Sequence, residues 1–173
     1  MKILLFLSLF FLGLSANIFN FKTLSSDFTQ TITNEENSTI TYTGNFYATS
    51  KQMAIWIYKT PISKKVYFIK NQVIIIEPEL EQAIITTLKQ SPNFATIIKK
   101  AKKISKNRYL TKYEDTNYYI YIKNGTISSI KYSDKLENRV VIKLNNLEKN
   151  IILDDALFKV NIPKDYDIIN NNS

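Results

Sequence analysis

Two apolar runs, Val66 to Ile69 and Val73 to Ile76, flank the polar Lys70-Asn71-Gln72. Their apolar residues fall at consecutive positions, so a hairpin built from them carries oily side chains on both faces and needs cover on both. Met53 to Tyr58 has the same two-sided character, with Ala54, Trp56 and Tyr58 opposite Met53, Ile55 and Ile57. Ser38 to Ala48 alternates instead. Ile40, Tyr42, Phe46 and Ala48 share one face with Gly44, while Thr39, Thr41, Thr43, Asn45 and Tyr47 share the other, which predicts a strand with one wet face.

The pattern then turns helical. Pro78 suits a first helical turn, and Glu77, Glu79 and Glu81 suit the positive end of a helix dipole. Ile84, Ile85 and Leu88 follow at helical spacing, so a helix is predicted from Pro78 to Leu88. Ser91-Pro92-Asn93 stops it and starts a second, whose apolar face is Phe94, Ile97, Ile98 and Ala101. Near the start, Ile18, Phe19, Phe21 and Leu24 suit a turn or two of helix, and Ser25 to Thr33 a strand. From Tyr109 the chain returns to β structure. Tyr118 to Lys123 and Thr126 to Tyr132 flank Asn124-Gly125, a strong hairpin signal. Strands from Arg139 to Leu147 and from Leu157 to Ile162 follow, and Pro163 ends the last.

Strands, two helices, then strands predict an α+β fold: an antiparallel sheet with helices on one face. Two helices are too few to cover a wide flat sheet whose middle strands are apolar on both sides. A strongly curved sheet, rolled into a partial barrel, resolves this by enclosing one apolar face and leaves an interior suited to an apolar ligand.

Composition narrows the chemistry. Lys2, the apolar run Ile3 to Leu12 and the small-residue Gly13-Leu14-Ser15-Ala16 read as a signal peptide over residues 1–16, cleaved after Ser15 or Ala16. The run falls short of the ~20 residues of a membrane span. Residues 17–173 form a single domain, a size that supports a full core. The chain has no cysteine, so nothing staples the exported fold and no N-terminal cysteine can carry a lipid. It also has no histidine, which removes the common zinc sites and the histidine-dependent triads and dyads. Gly44 and Gly125 alone lie outside the signal, too few for a phosphate loop. No cofactor or metal is expected.

The formal charge is +8. Lys99, Lys100, Lys102, Lys103, Lys106 and Arg108 form a basic run, read either as a solvated face or as a docking surface for anionic headgroups or an acidic partner. Export argues against nucleic acid as a partner. Glu77, Glu79 and Glu81 include a pair that would fit a glycosidase, but they serve a helix start better, and no enzyme is expected. Glu35-Glu36-Asn37-Ser38-Thr39 fits the acidic pattern Asp/Glu-x-Asn-x-Ser/Thr for glycosylation at Asn37.

Four motifs in order carry a resemblance. Leu24-x-x-x-Phe28-x-Gln30, Trp56 followed by Pro61, Ile76-Glu77-Pro78-Glu79-Leu80-Glu81-Gln82-Ala83 and Phe158-x-Val160-x-Ile162-Pro163 resemble the LolA family of periplasmic outer-membrane lipoprotein carriers, over about Leu24 to Ile169. The resemblance implies an unclosed barrel with a helical lid, holding the acyl chains of lipoproteins. It implies a monomeric periplasmic chaperone that is loaded by an inner-membrane ABC transporter of the lipoprotein-releasing type and delivers to the outer membrane, where an acceptor would receive the cargo. The alternative is a lipid or glycolipid carrier, or a lipid-sensing envelope regulator, of the same fold. Candidates for the cavity lining are Ala54, Trp56, Tyr58, Phe68, Ile74 and Ile76 on the strands and Leu80, Ile84, Leu88, Phe94, Ile97 and Ile98 on the lid; a one-residue register slip would exchange inside for outside. The chain departs from the family in three places. Ser50 and Lys51 stand where an Arg-Pro pair latches the lid, the segment before the first strand is short, and Asp165 replaces a glycine.

Overall fold

The computed structural model describes residues 18–51, 53–88 and 98–172. The expected signal peptide, and Phe94 and Ile97, lie outside the described residues. Among these, twelve strands run in chain order as β1 (Thr23–Thr33), β2 (Thr39–Thr49), β3 (Met53–Thr60), β4 (Lys64–Ile69), β5 (Gln72–Glu77), β6 (Gln82–Thr87), β7 (Lys102–Ser105), β8 (Arg108–Tyr113), β9 (Thr116–Lys123), β10 (Thr126–Ser133), β11 (Arg139–Lys149) and β12 (Asp167–Asn172). They form one sheet in the order β12-β6-β5-β4-β3-β2-β1-β11-β10-β9-β8-β7. Pairing is antiparallel except for β12, which lies parallel to β6. The sheet does not close: β12 and β7 are its two edges.

The threonine-rich strands and their turns fix the centre of this sheet. Thr33 and Thr39 bring hydroxyls to 3.1 Å across β1 and β2, a cross-strand contact on the wet face that the alternation predicts. The β1–β2 turn is held by Asn34, whose Oδ1 accepts from the Ser38 N–H at 2.8 Å. The β10–β11 turn copies it, with Asp134 Oδ1 accepting from the N–H groups of Leu136 at 2.9 Å and Asn138 at 3.0 Å. Short polar side chains at this turn position hydrogen-bond the backbone ahead of them.

Curvature has a local cause at Gly44. A Cβ there would stand 2.0 Å from the Ile57 carbonyl oxygen and 2.8 Å from Phe28 Cε1. The missing side chain lets β3 approach and lets the Phe28 ring lie across β2. The register between β2 and β3 slips at the same point, between Thr43 and Gly44, and such irregularities bend a strand.

The two-sided apolar strands find cover on both faces. On the concave face Phe28, Phe46, Ala54, Trp56, Ile120, Ile130 and Leu144 belong to one buried cluster. On the convex face Ile55, Tyr67, Ile74, Ile76 and Ala83 pack with Phe158 from the segment after β11.

The helical expectations are corrected here. Pro78–Leu80 is a single 3-10 turn that ends at Glu81 in the left-handed region, φ 50°, and Gln82–Thr87 is strand β6. Ile84, Ile85, Thr86 and Thr87 are β-branched, a composition that favours a pleated surface over a helix, and Ile84 and Ile85 pair with Ile75 and Ile74 of β5. The helical lid is therefore not formed by Pro78 to Leu88. Of the second expected helix, Ile98 and Lys99 are helical and Lys102 already begins β7. Ile18 and Phe19 form a turn, and Leu157 to Ile162 is not a strand: Asp154 caps a 3-10 turn, Asp155–Phe158, that buries Phe158. β12 was not foreseen, because Asn170, Asn171 and Asn172 carry little strand preference.

Gly44→Ala should lower unfolding stability by about 1–3 kcal/mol, the usual cost of overpacking. Urea denaturation would show it, and a variant as stable as the wild type would refute the close approach at Gly44.

Candidate functional site

The concave face encloses a cavity of about 400 Å³. One wall is Trp56 and Tyr58 of β3, Val66 and Phe68 of β4 and Val73 of β5; the other is Tyr118 and Ile120 of β9, Ile130 and Tyr132 of β10 and Ile142 of β11. β5 and β9 stand seven strand positions apart in the sheet, which in a flat sheet at ~4.8 Å per strand would be roughly 34 Å. Only a strongly curved sheet brings both to one cavity.

An aromatic chain forms the floor between the walls. The Phe28 ring meets Trp56 edge-on at 4.9 Å and Tyr58 at 5.0 Å between centroids, and Trp56 meets Phe46 at 4.2 Å. Such offset and edge-on pairs add to the burial they share. One end of the interior is filled by Phe19, Phe21 and Leu24, with Phe19 edge-on to Tyr109 at 5.0 Å.

The other end is polar and tyrosine-rich. Tyr58 Oη donates to Gln30 Oε1 at 2.7 Å, Tyr118 and Tyr132 lie 4.8 Å apart between ring centroids, and Lys64 Nζ sits 4.9 Å from the Tyr58 ring centre. Burial pushes the Tyr132 phenol up to about 12, with Tyr118 and Asp134 adding to the shift. Burial raises Tyr58 further, helped by Tyr132 and Tyr42, and raises Tyr118, helped by Glu114. These phenols stay neutral hydrogen-bond donors at any physiological pH.

The sequence candidates divide by register. Trp56, Tyr58, Phe68, Leu88 and Ile98 line the cavity, and Ala54 is buried in the same cluster. Ile84 shares their face through its pairing with Ile75 but lies outside the lining. Ile74 and Ile76 take the convex face, because they pair with Ile85 and Ala83 on the side that Phe158 covers. Leu80 is 63% exposed in the turn before β6.

What periodicity in the first half of the chain did not signal is the second wall. The signal was present as apolar side chains at every second position, in Tyr118, Ile120 and Ile122, in Ile130 and Tyr132, and in Val140, Ile142 and Leu144, though Tyr119, Tyr121 and Val141 between them blur it. Gln30, Thr111, Tyr113 and Glu114 also reach the cavity, and their polarity hides them from any search for apolar positions.

The remaining candidates lie elsewhere. Ser50 and Lys51 occupy the exposed β2–β3 turn, where the Ser50 N–H donates to the Lys22 carbonyl at 2.8 Å and the Lys51 N–H to Thr49 Oγ1 at 3.2 Å. Lys99 and Lys100 are exposed just after Ile98, Lys102 and Lys103 lie on β7, and Lys106 lies in the following turn. β7 is a sheet edge, where lysines discourage pairing with another chain. Asn37 is exposed at φ 62°, and its Oδ1 accepts from Arg139 Nη2 at 2.8 Å. Glu77 accepts from Gln82 Nε2 at 2.6 Å.

The raised phenols give stability a defined alkaline limb. An unfolded tyrosine ionises near 10, while native Tyr58 and Tyr132 hold their protons longer, so their stabilisation is complete below that pH and is lost as pH rises toward the native value. Tyr132→Phe should flatten this limb by up to about 1.4 kcal/mol per pH unit. Denaturant titrations at pH 9, 10.5 and 11.5 would measure it, and identical slopes in the two proteins would contradict a buried Tyr132 hydroxyl.

Comparison with known proteins agrees with this geometry. Residues 19–119 match the family described as outer membrane lipoprotein carrier protein LolA. The outer-membrane lipoprotein carrier protein of Campylobacter jejuni is 46% identical over 150 residues, covering 87% of this chain and 88% of that protein. Its counterpart in Wolinella succinogenes is 34% identical over 134 residues, covering 77% and 78%. Among solved structures, an uncharacterized conserved protein from Thermus thermophilus shares the fold at a TM-score of 0.53 and 8% identity, covering 88% of this chain and 93% of that one. With a family match over most of the sheet and close relatives along most of its length, the chain belongs to the LolA family.

Proposed function

We propose that this protein is a periplasmic carrier that shields the acyl chains of lipoproteins on their way to the outer membrane. The observation that carries the reading is the cavity of about 400 Å³ enclosed by a curved sheet and walled by Trp56, Val66, Phe68, Ile120, Ile130 and Ile142. Its size falls in the ~300–1,000 Å³ range of small-molecule sites, and family membership supplies the nature of the cargo.

Carrying a lipid is an exchange between two apolar solvents. At about 0.8 kcal/mol per buried CH₂, an acyl chain of roughly a dozen methylenes is worth about 10 kcal/mol, which rivals a domain's whole stability of ~5–15 kcal/mol. A carrier that gained much more than the membrane does would never release its load. A cavity bounded by an open sheet and a polar end meets this requirement better than a sealed one.

The family reading further supplies an inner-membrane ABC transporter as donor and an outer-membrane destination. In this scheme the cavity lining binds lipid, with Trp56, Tyr58, Phe68, Leu88 and Ile98 among its residues. Lys99, Lys100, Lys102, Lys103 and Lys106 offer an exposed basic strip suited to anionic headgroups or to an acidic partner. Ser50 and Lys51 stand at the latch position that the family resemblance implies, where a hydroxyl and a flexible ammonium offer a weaker hold than a rigid guanidinium fork. Asn37 is exposed within its acidic motif and is assigned as a glycosylation acceptor; an intact mass of the exported protein above that of the bare polypeptide is expected, and the bare mass would remove the assignment.

Purified protein added to spheroplasts should release lipoproteins into the soluble fraction. Val66→Trp, which fills the cavity, and Val66→Glu, which puts a charge in it, should each reduce release at least tenfold while the protein still melts cooperatively. Release at the wild-type level by both folded variants would defeat the assignment of the cavity.

A further inference from the structure

The cavity holds more hydrogen-bonding groups than an acyl chain can use. Gln30, Tyr58, Tyr118 and Tyr132 line it near one end of the sheet, close to the β8–β9 and β10–β11 turns. A hydrocarbon would be served as well by leucine and phenylalanine there, and a polar group withdrawn from water without a partner is costly.

The hydrogen bond from Tyr58 Oη to Gln30 Oε1, 2.7 Å long, fixes the amide of Gln30. Its Nε2 keeps two N–H donors. Among the hydrogen bonds of the described residues, none engages Gln30 Nε2 or Tyr132 Oη. The Tyr132 ring is set against Tyr118, and Tyr132 is close enough to Tyr58 to help hold the Tyr58 phenol neutral.

We infer that Gln30, Tyr58 and Tyr132 form a polar subsite for the ester carbonyl oxygens at the head of glycerol-linked acyl chains. Gln30 Nε2 and Tyr132 Oη donate to those carbonyls, and Tyr58 acts as a positioning residue that orients the Gln30 amide. The inference rests on the carrier reading and deepens it. Ester carbonyls accept hydrogen bonds and donate none, which matches this donor pair. A free fatty acid fits less well, since withdrawing its full charge from water costs far more than burying an ester carbonyl. The subsite gives the ligand a direction: carbonyls lie among the tyrosines, and the chains run toward Trp56, Phe68 and the end that Phe19 and Phe21 fill.

The test compares a lipopeptide carrying a diacylglyceryl-cysteine with its ether-linked analogue of equal chain length, by competition against a fluorescent acyl probe. Wild-type protein should prefer the ester by about tenfold, the worth of two ordinary hydrogen bonds. Tyr132→Phe, which removes one oxygen, and Gln30→Met should each bring the ester-to-ether ratio to within about threefold of unity. Because the ratio is taken within each variant, a general loss of affinity cancels. A matching pair of diester and diether phosphatidylglycerols separates the two sources of this chemistry. A preference in both pairs supports a carbonyl subsite open to any glycerolipid, and one confined to the lipopeptide supports a subsite shaped for lipoprotein cargo. Equal affinity of wild-type protein for ester and ether forms would overturn the subsite and leave the carrier reading intact. A preference that persists unchanged in both variants would overturn the assignment to Gln30 and Tyr132. Failure of both lipopeptides to bind would overturn the carrier reading itself.

Discussion

The close approach of β3 to Gly44, with Phe28 lying across the gap, is the constraint on which the rest of the molecule turns. Phe28 is 2% exposed and touches both Trp56 and Tyr58 edge-on, so the centre of the sheet folds around one ring. A side chain at position 44 would collide with the Ile57 carbonyl. With that corner in place, the β3–β5 wall faces the β9–β11 wall, and an interior exists. Without it, the same strands would form a flatter sheet with an oily face open to water, which invites association.

The strands apolar on both sides are explained by two kinds of cover. Their convex face is closed permanently by Phe158, Leu157, Val160 and Ile162 from the chain beyond β11. Their concave face is closed partly by the protein, through Phe19, Phe21 and Ile98, and partly left as a cavity. A carrier needs this asymmetry: one face contributes fixed stability, and the other exchanges protein contacts for ligand contacts of similar worth.

Polar groups are placed where they limit that exchange. Tyr58, Gln30 and Tyr132 interrupt the apolar lining at one end, and their neutrality avoids the far larger cost of burying a charge. Charges stay at the rim, as in the Lys135–Glu114 pair at 3.2 Å, where solvent screens them and they contribute little to stability. The open edges are managed as well. β7 carries Lys102 and Lys103, and β12 covers the edge that β6 would otherwise expose.

Strands whose pattern is local were legible in the residues alone. Alternation in Ser38 to Ala48, the Asn124-Gly125 hairpin and the oily runs about Lys70-Asn71-Gln72 each report a period or turn that neighbouring residues settle among themselves. The doubled apolar faces of β3 to β5 also led to a curved sheet and an interior, and the motifs about Phe28, Trp56 and Pro78 led to the family. Tertiary structure decided what local pattern leaves degenerate. Glu77 to Leu88 combines helical spacing of its apolar residues with a β-branched run from Ile84 to Thr87, and pairing of Ile84 and Ile85 with β5 and of β6 with β12 settles it as a strand. The side on which Ile74 and Ile76 fall depends on register across several strands, since one residue of slip reverses every side chain. The second wall of the cavity, and its tyrosines, are set by strands far away in sequence that meet the first wall only because the sheet curves, with register irregularities at Thr43/Gly44, Ser25/Asp27 and Ile127/Ser129. Bending is a property of packing between strands, and no window of the chain contains it.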